Sequence, residues 1–206
     1  MVIKALALNC SLKKSNETSN TDALLSEVQS IFTDQGIELE KVRAADYQIS
    51  FGMEEDMGDG DQWPELFEKV KEADILIIAT PVWLGEKSSV SKLILERLDS
   101  CSSNTNEKGQ SIYYNKVAGA VVTGNEDGAK HAAQSIIYSL SHLGFTIPPN
   151  ADCYWVGEAG PGPSYIEANG NENEFTQSHV NYLGYNLSHF ARMLKERPIP
   201  AEGNLM

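Results

Sequence analysis

Short apolar segments alternate with segments of helical periodicity along the sequence, and this alternation limits the possible folds more than any other feature. The apolar segments have the length of buried strands and lie at 2–9, 37–42, 75–79, 117–122 and either 145–147 or 152–156. The helical segments lie at 20–35, 64–73, 90–98, 129–143 and 183–194. Such repeated alternation predicts right-handed crossovers and a doubly wound α/β fold with a parallel sheet. We expect one domain over 1–206, since a chain of this length can bury one core.

The loop after the first predicted strand is crowded with hydroxyl and amide side chains and leads directly into a helix N-terminus. In doubly wound sheets, ligands bind beyond the carboxyl ends of the strands. Unpaired N–H groups and the helix dipole favour a phosphate there, and a lysine adds one cation. The residues expected to hold it are Ser11, Lys13, Thr18, Ser19, Asn20 and Thr21. The alternative is a polar loop that only caps its helix.

The loops after the third and fourth predicted strands suit a planar heterocycle. The first of them has a rigid turn, an aromatic side chain and a glycine that permits close approach of the backbone: Thr80, Pro81, Val82, Trp83, Leu84 and Gly85. The second is a flexible turn that opens onto a helix and contains Thr123, Gly124, Asn125 and Gly128. The alternatives are that Trp83 only covers the end of the sheet and that the second loop is an ordinary capped turn.

Several other sites are disfavoured by the sequence. It contains neither the G-x-x-x-x-G-K-[ST] motif of P-loop nucleotidases nor the G-x-G-x-x-G motif of dinucleotide-binding domains. Thr80 stands where a response-regulator receiver needs a carboxylate. The four histidines are scattered at no metal-ligand spacing, so we expect no metal site, and no catalytic acid–base pair is visible.

The charge balance argues against large polyanionic partners. The chain has 16 basic and 29 acidic residues and a net charge of −13, which repels nucleic acid. No apolar run has the length of a membrane span, and no signal peptide is visible. Cys10, Cys101 and Cys153 are widely spaced and odd in number, which suits a reducing compartment. We therefore expect a cytoplasmic protein without nucleic-acid or membrane partners.

Taken together, the three loops resemble those of the NAD(P)H-dependent FMN reductase branch of the flavodoxin-like superfamily, which includes iron–sulfur flavoproteins and multimeric quinone reductases. Ser11, Lys13, Ser19, Asn20 and Thr21 are similar to that family's FMN-phosphate loop. Residues 80–85 resemble its Thr-Pro-x-Tyr/Trp-x-Gly motif, which lies along the isoalloxazine, and 123–124 resemble its next turn. The chain departs from the family at 125–127, where more glycine is usual, and it lacks cluster cysteines at 51–62, so no iron–sulfur centre is expected.

The resemblance implies a flavodoxin-like doubly wound sheet of five parallel strands in the order 2-1-3-4-5. It also implies non-covalent FMN, with NADH or NADPH as co-substrate and a quinone, flavin, nitro or azo compound as small-molecule electron acceptor. A homodimer or higher homo-oligomer is expected on the same ground. The alternative is a flavodoxin-type one-electron carrier that docks to a redox partner without oxidising NAD(P)H.

Overall fold

Five parallel strands and one short antiparallel strand form the central sheet of the computed structural model, which describes residues 2–158, 160 and 162–206. The parallel strands lie in the order β2-β1-β3-β5-β6, and β4 pairs antiparallel with β3. Their bounds are β1 Lys4–Asn9, β2 Glu38–Arg43, β3 Ile75–Trp83, β4 Glu86–Lys87, β5 Val117–Thr123 and β6 Asp152–Trp155. This is the flavodoxin-like sheet predicted from the sequence, and the order of its five parallel strands is confirmed.

Helices cover both faces of the sheet because β1, β3 and β5 are apolar on both sides. The helices are α1 Asn20–Asp34, α2 Trp63–Glu72, α3 Ser89–Ser100, α4 Ala129–Leu143 and α5 Glu174–Glu196. One core lies under α1 and α5, and the other lies under α2, α3 and α4. The layers hold the carboxyl ends of β1, β3, β5 and β6 at one edge of the sheet.

The structure departs most from the predicted bounds at β3 and at the last helix, and it decides between the two candidates for the last strand. β3 was expected to end at Ala79 but continues to Trp83. Pro81 is tolerated because β1 pairs with β3 only up to Ala79, so the strand has one open edge where proline needs no hydrogen-bond partner. Of the two candidates for the last strand, 152–155 forms it, whereas 145–147 contributes a single bridge from Thr146 to Val117. The last helix begins earlier than expected, at Glu174, where Asn173 caps it.

A buried arginine on α3 organises the acidic loop between β2 and α2. The Arg97 side chain is fully buried and pairs with the buried carboxylate of Asp61 at 3.0 Å. It also donates to the carbonyls of Ser50 at 2.6 Å and Glu54 at 2.9 Å. Burial raises the pKa of Asp61, but backbone N–H donors and the charge of Arg97 outweigh it, so that pKa lies below its ordinary value. Arg97 therefore holds this acidic loop from the protein interior.

No helix among the residues described is long and apolar enough to cross a membrane. Cys10, Cys101 and Cys153 are all buried and free. Burial raises the pKa of the Cys10 thiol to about 12, so this thiol stays protonated near neutral pH.

Candidate functional site

A cleft of about 370 Å³ lies at the carboxyl edge of the sheet, between the loops that follow β1, β3 and β5. The side chains and backbone of three predicted segments line it: Ser11, Lys13, Ser19, Asn20, Thr21, Pro81, Val82, Trp83, Thr123, Gly124 and Asn125. Residues that the sequence did not single out complete the lining: Leu12, Glu126, Trp155, Ser164 and Tyr165. The fold therefore brings the three predicted loops around one cavity.

One end of the cleft is a polar loop with an internally fixed shape. At its start, the Asn9 side-chain oxygen accepts from the Ser11 N–H at 3.0 Å, and Ser11 Oγ accepts from the Lys13 N–H at 3.2 Å. The Lys13 ammonium lies 3.3 Å from the carbonyl oxygen of Thr18 and so bridges the loop. Since Ser11 Oγ acts here as an acceptor, its own hydroxyl hydrogen can point toward an anion.

Arg43 at the end of β2 and Asp46 shortly after it anchor the same loop from outside. Arg43 Nη1 donates to the carbonyls of Lys13 at 3.0 Å and Lys14 at 2.9 Å. The Ser15 N–H donates to the Asp46 carboxylate at 3.0 Å, and hydrogen bonding from Ser15 lowers the pKa of Asp46. These contacts order the loop before any ligand binds, which reduces the entropy that a ligand must overcome.

The N-terminus of α1 forms the floor of the polar end. Ser19 caps the helix by accepting from the Asp22 N–H at 3.2 Å. Helix geometry leaves the N–H groups of Asn20 and Thr21 without intrahelical acceptors, so they can bind an anion. The Thr21 hydroxyl contacts the Thr123 hydroxyl at 2.8 Å in a buried position. This contact fixes the start of α1 against the end of β5.

The opposite end of the cleft is apolar and is built by the hairpin of β3 and β4. Pro81, Val82 and Trp83 line it, and the Trp83 side chain is 53% exposed. Leu84 and Gly85 form the two-residue turn, with φ of 52° and 75°. Positive φ at both positions is what a type I′ hairpin turn requires. A leucine there is strained by about 1–2 kcal/mol, and its side chain is 94% exposed.

The loop between β5 and α4 packs closely against this hairpin. A Cβ on Gly128 would lie 2.4 Å from the Gly85 carbonyl oxygen, so glycine is required there for the backbones to touch. A Cβ on Gly124 would lie 2.8 Å from the Val82 Cβ. The Glu126 carboxylate accepts from the Leu84 N–H at 2.8 Å. The two loops therefore form one continuous wall.

The aromatic residues that the sequence did not single out come from β6 and the segment after it. The position of Trp155 at the cleft follows from the register of β6, since Trp155 pairs with Thr123 at the end of the neighbouring strand. Tyr165 stacks edge-on against Trp155 with ring centroids 5.6 Å apart. The Asn20 side chain accepts from the Ile166 N–H at 3.0 Å, which brings the segment over the cleft. The register of β6 was a usable signal for Trp155, whereas nothing local indicated Ser164 or Tyr165.

Five of the predicted site residues lie outside the lining. Thr80 is buried, accepts from the Ser88 N–H and donates to the Pro81 carbonyl, so its hydroxyl holds the hairpin instead of facing the cleft. Thr18 is exposed, and its carbonyl accepts from Lys13. Leu84, Gly85 and Gly128 form the contact between the two loops behind the cavity wall. They shape the site from outside the cavity.

The chemistry of the cleft fits a flat ligand with one phosphate. Hydroxyls, helix N–H groups and Lys13 meet at one end, and aromatic and aliphatic side chains meet at the other. The lining includes one lysine, Lys13, one glutamate, Glu126, and one tyrosine, Tyr165. Burial raises the pKa of the Tyr165 phenol, so it stays protonated near neutral pH. The part of the chain that is described has no cluster of three or more metal-ligating side chains.

Comparison with known proteins points to the same ligand class. Residues 3–159 match the family described as NADPH-dependent FMN reductase. The 8-demethyl-8-aminoriboflavin-5'-phosphate synthase of Streptomyces davaonensis is 41% identical over 207 residues, which cover 96% of this chain and 80% of that protein. A protein of Mycobacterium bovis named as the divalent metal cation transporter MntH is 46% identical over 199 residues. That match covers 94% of this chain but only 29% of the Mycobacterium protein.

The structural comparison agrees. The crystal structure of RosB with a bound intermediate, 8-demethyl-8-formylriboflavin-5'-phosphate, superposes with a TM-score of 0.90 at 40% identity. The superposition covers 96% of this chain and 82% of RosB. The bound compound named for RosB is a phosphorylated flavin.

Proposed function

Because this chain belongs to the NADPH-dependent FMN reductase family, we propose that its cleft holds FMN and passes hydride equivalents from NADH or NADPH to a small acceptor. Membership in the family confirms the predicted class, a flavin-dependent oxidoreductase with FMN as cofactor and NAD(P)H as co-substrate. The acceptor proposed here is a quinone, free flavin, nitro or azo compound.

The observation that carries the proposal is the division of one cleft into a phosphate-binding end and a ring-binding end. Ser11, Lys13 and the N–H groups at the start of α1 would hold the phosphate. Pro81, Val82 and Trp83 would lie along the isoalloxazine, with the β5–α4 loop at its edge. When bound, the flavin supplies the redox chemistry. The protein then needs to position the ring and the substrate and to exclude competing reactions, and no side chain has to exchange a proton.

The nucleotide must reach the ring for hydride transfer. The reacting atoms need to approach to roughly 3–3.5 Å, which requires an uncovered ring face. Trp83 lines the cleft and is half-exposed, so it does not bury the cavity completely. Because Trp155 and Tyr165 also line the cleft, it is the family match that supports an oxidoreductase over a one-electron carrier.

Anaerobic mixing of the FMN-loaded protein with NADH or NADPH tests the proposal. We expect the flavin absorption to bleach within seconds, at a rate that saturates with nucleotide concentration. A flavin that neither nucleotide reduces, but that dithionite does reduce, would instead support the electron-carrier alternative.

A second candidate function is chemical conversion of the flavin itself. It is favoured by the 41% identity, over nearly the whole chain, to a protein named as an aminoriboflavin-phosphate synthase. Mass spectrometry of flavin recovered from the protein after aerobic incubation with FMN and an amino-group donor, such as an amino acid or ammonium, distinguishes the two. Under the reductase proposal the recovered flavin has the mass of FMN, whereas a changed mass would favour flavin conversion.

A further inference from the structure

Glu126 is a charged residue that lines the cleft without belonging to the phosphate end. It lies at the tip of the loop between β5 and α4, and its Oε1 accepts from the Leu84 N–H at 2.8 Å. This hydrogen bond joins two loops that are 42 residues apart in the chain. Charge-assisted hydrogen bonds of this kind are stronger than those between neutral groups.

The residue that Glu126 holds is conformationally strained. Leu84 has φ of 52°, a region that leucine avoids, and its side chain packs on little because it is 94% exposed. A strained backbone persists only where its surroundings fix it. The surroundings here are the Glu126 hydrogen bond and the contact of Gly85 with Gly128.

We propose that Glu126 is a positioning residue that holds the β3–β4 hairpin in the ring-binding geometry and places a negative charge beside the ring. The claim about the charge rests on the proposed function, because only a bound flavin can respond to that charge. The claim about the hairpin concerns the protein alone. Trp83, which lines the cleft, is the residue immediately before the turn and pairs with Glu86 immediately after it.

The hydrogen bond is tested without any ligand. Solvent exchange of the Leu84 N–H, measured by NMR, should become about tenfold faster in Glu126→Ala. Asp127→Asn is the matched control, because it removes an equal charge one residue away while its amide oxygen can still accept from the Gly128 N–H. Unchanged exchange at Leu84 in Glu126→Ala would overturn the proposal whether or not the protein binds FMN.

The charge is tested through the midpoint potential of the bound flavin. A nearby carboxylate disfavours the added electrons, so Glu126→Gln should raise the potential. If the reduced flavin gains about tenfold in relative affinity, the shift is about 30 mV for a two-electron couple. Asp127→Asn should shift it much less, because Asp127 does not line the cleft. Equal shifts in the two variants would refute a specific role for Glu126.

The turn itself offers a further control. Leu84→Asn creates Asn-Gly, the dipeptide that type I′ turns prefer, and loses little packing because Leu84 is exposed. In wild type, Glu126→Ala should weaken FMN binding by about tenfold, since binding must then order about one released residue. In the Leu84→Asn background that loss should largely disappear. A full loss in both backgrounds would overturn the positioning role, whereas a wild-type protein that binds no FMN would instead refute the proposed function.

Discussion

Removing single donors from the phosphate end should weaken the binding of FMN but not of riboflavin. Ser11 is almost fully buried, and its hydroxyl would meet a phosphate oxygen away from water. A hydrogen bond to a charged group contributes about 1.5–3 kcal/mol, so Ser11→Ala should raise the Kd of FMN between about 10-fold and 150-fold. Lys13 is exposed, and solvent weakens its charge interactions. Lys13→Ala should therefore raise the Kd of FMN by about tenfold, near the lower end of that range.

Fluorescence titration of the apo-protein measures both constants, and Lys14→Ala is the matched control. Lys14 is also an exposed lysine, but it does not line the cleft, so its removal changes net charge equally and should alter the Kd by less than about twofold. Riboflavin lacks the phosphate and should bind wild type and all three variants with similar weak affinity. Wild-type FMN affinity in both Ser11→Ala and Lys13→Ala would show that the phosphate is held elsewhere.

Further predictions concern stability and assembly. Gly128→Ala should lower the free energy of unfolding by about 1–3 kcal/mol in urea denaturation, because its Cβ would meet the Gly85 carbonyl. Gly58→Ala shares a positive φ but has open space around it, so an equal loss there would contradict the steric explanation. Arg97→Met should cost about 3–5 kcal/mol by the same assay, since it leaves the Asp61 carboxylate buried and unpaired, and a loss below about 1 kcal/mol would contradict this. Sedimentation equilibrium should show a homodimer or larger assembly, and a species of 22.6 kDa alone would refute it.

The alternation of strands and helices was predictable because buried strands and amphipathic helices differ in period, whereas the strand order was implied by the family resemblance. The end of β3 was not predictable, since Thr80-Pro81 reads locally as a break. Only the sheet shows that β1 stops pairing at Ala79 and leaves an edge where proline is allowed. The hairpin that follows depends on positive φ at Leu84. Leucine rarely adopts this conformation, so the sequence gives no indication of it.

The candidate site, like the fold, has parts that the sequence predicted and parts that it did not. The polar end of the cleft was predictable because Ser11, Lys13 and the start of α1 are close in sequence, and its binding of a phosphate stays a prediction. Trp155, Tyr165 and Glu126 come from separate segments whose approach depends on tertiary packing. Glu126 carried no functional signal, since it lies in an acidic turn where a solvated carboxylate is the ordinary expectation.

The most direct test of the central claim is the visible absorption spectrum of the purified protein, before and after addition of FMN, with the released flavin identified after denaturation. The cleft predicts a flavin spectrum, saturation at one equivalent per chain, and release of FMN rather than FAD, because one phosphate end is present and no pyrophosphate motif is found. A colourless protein that takes up no added FMN, or one that releases FAD, would contradict the claim.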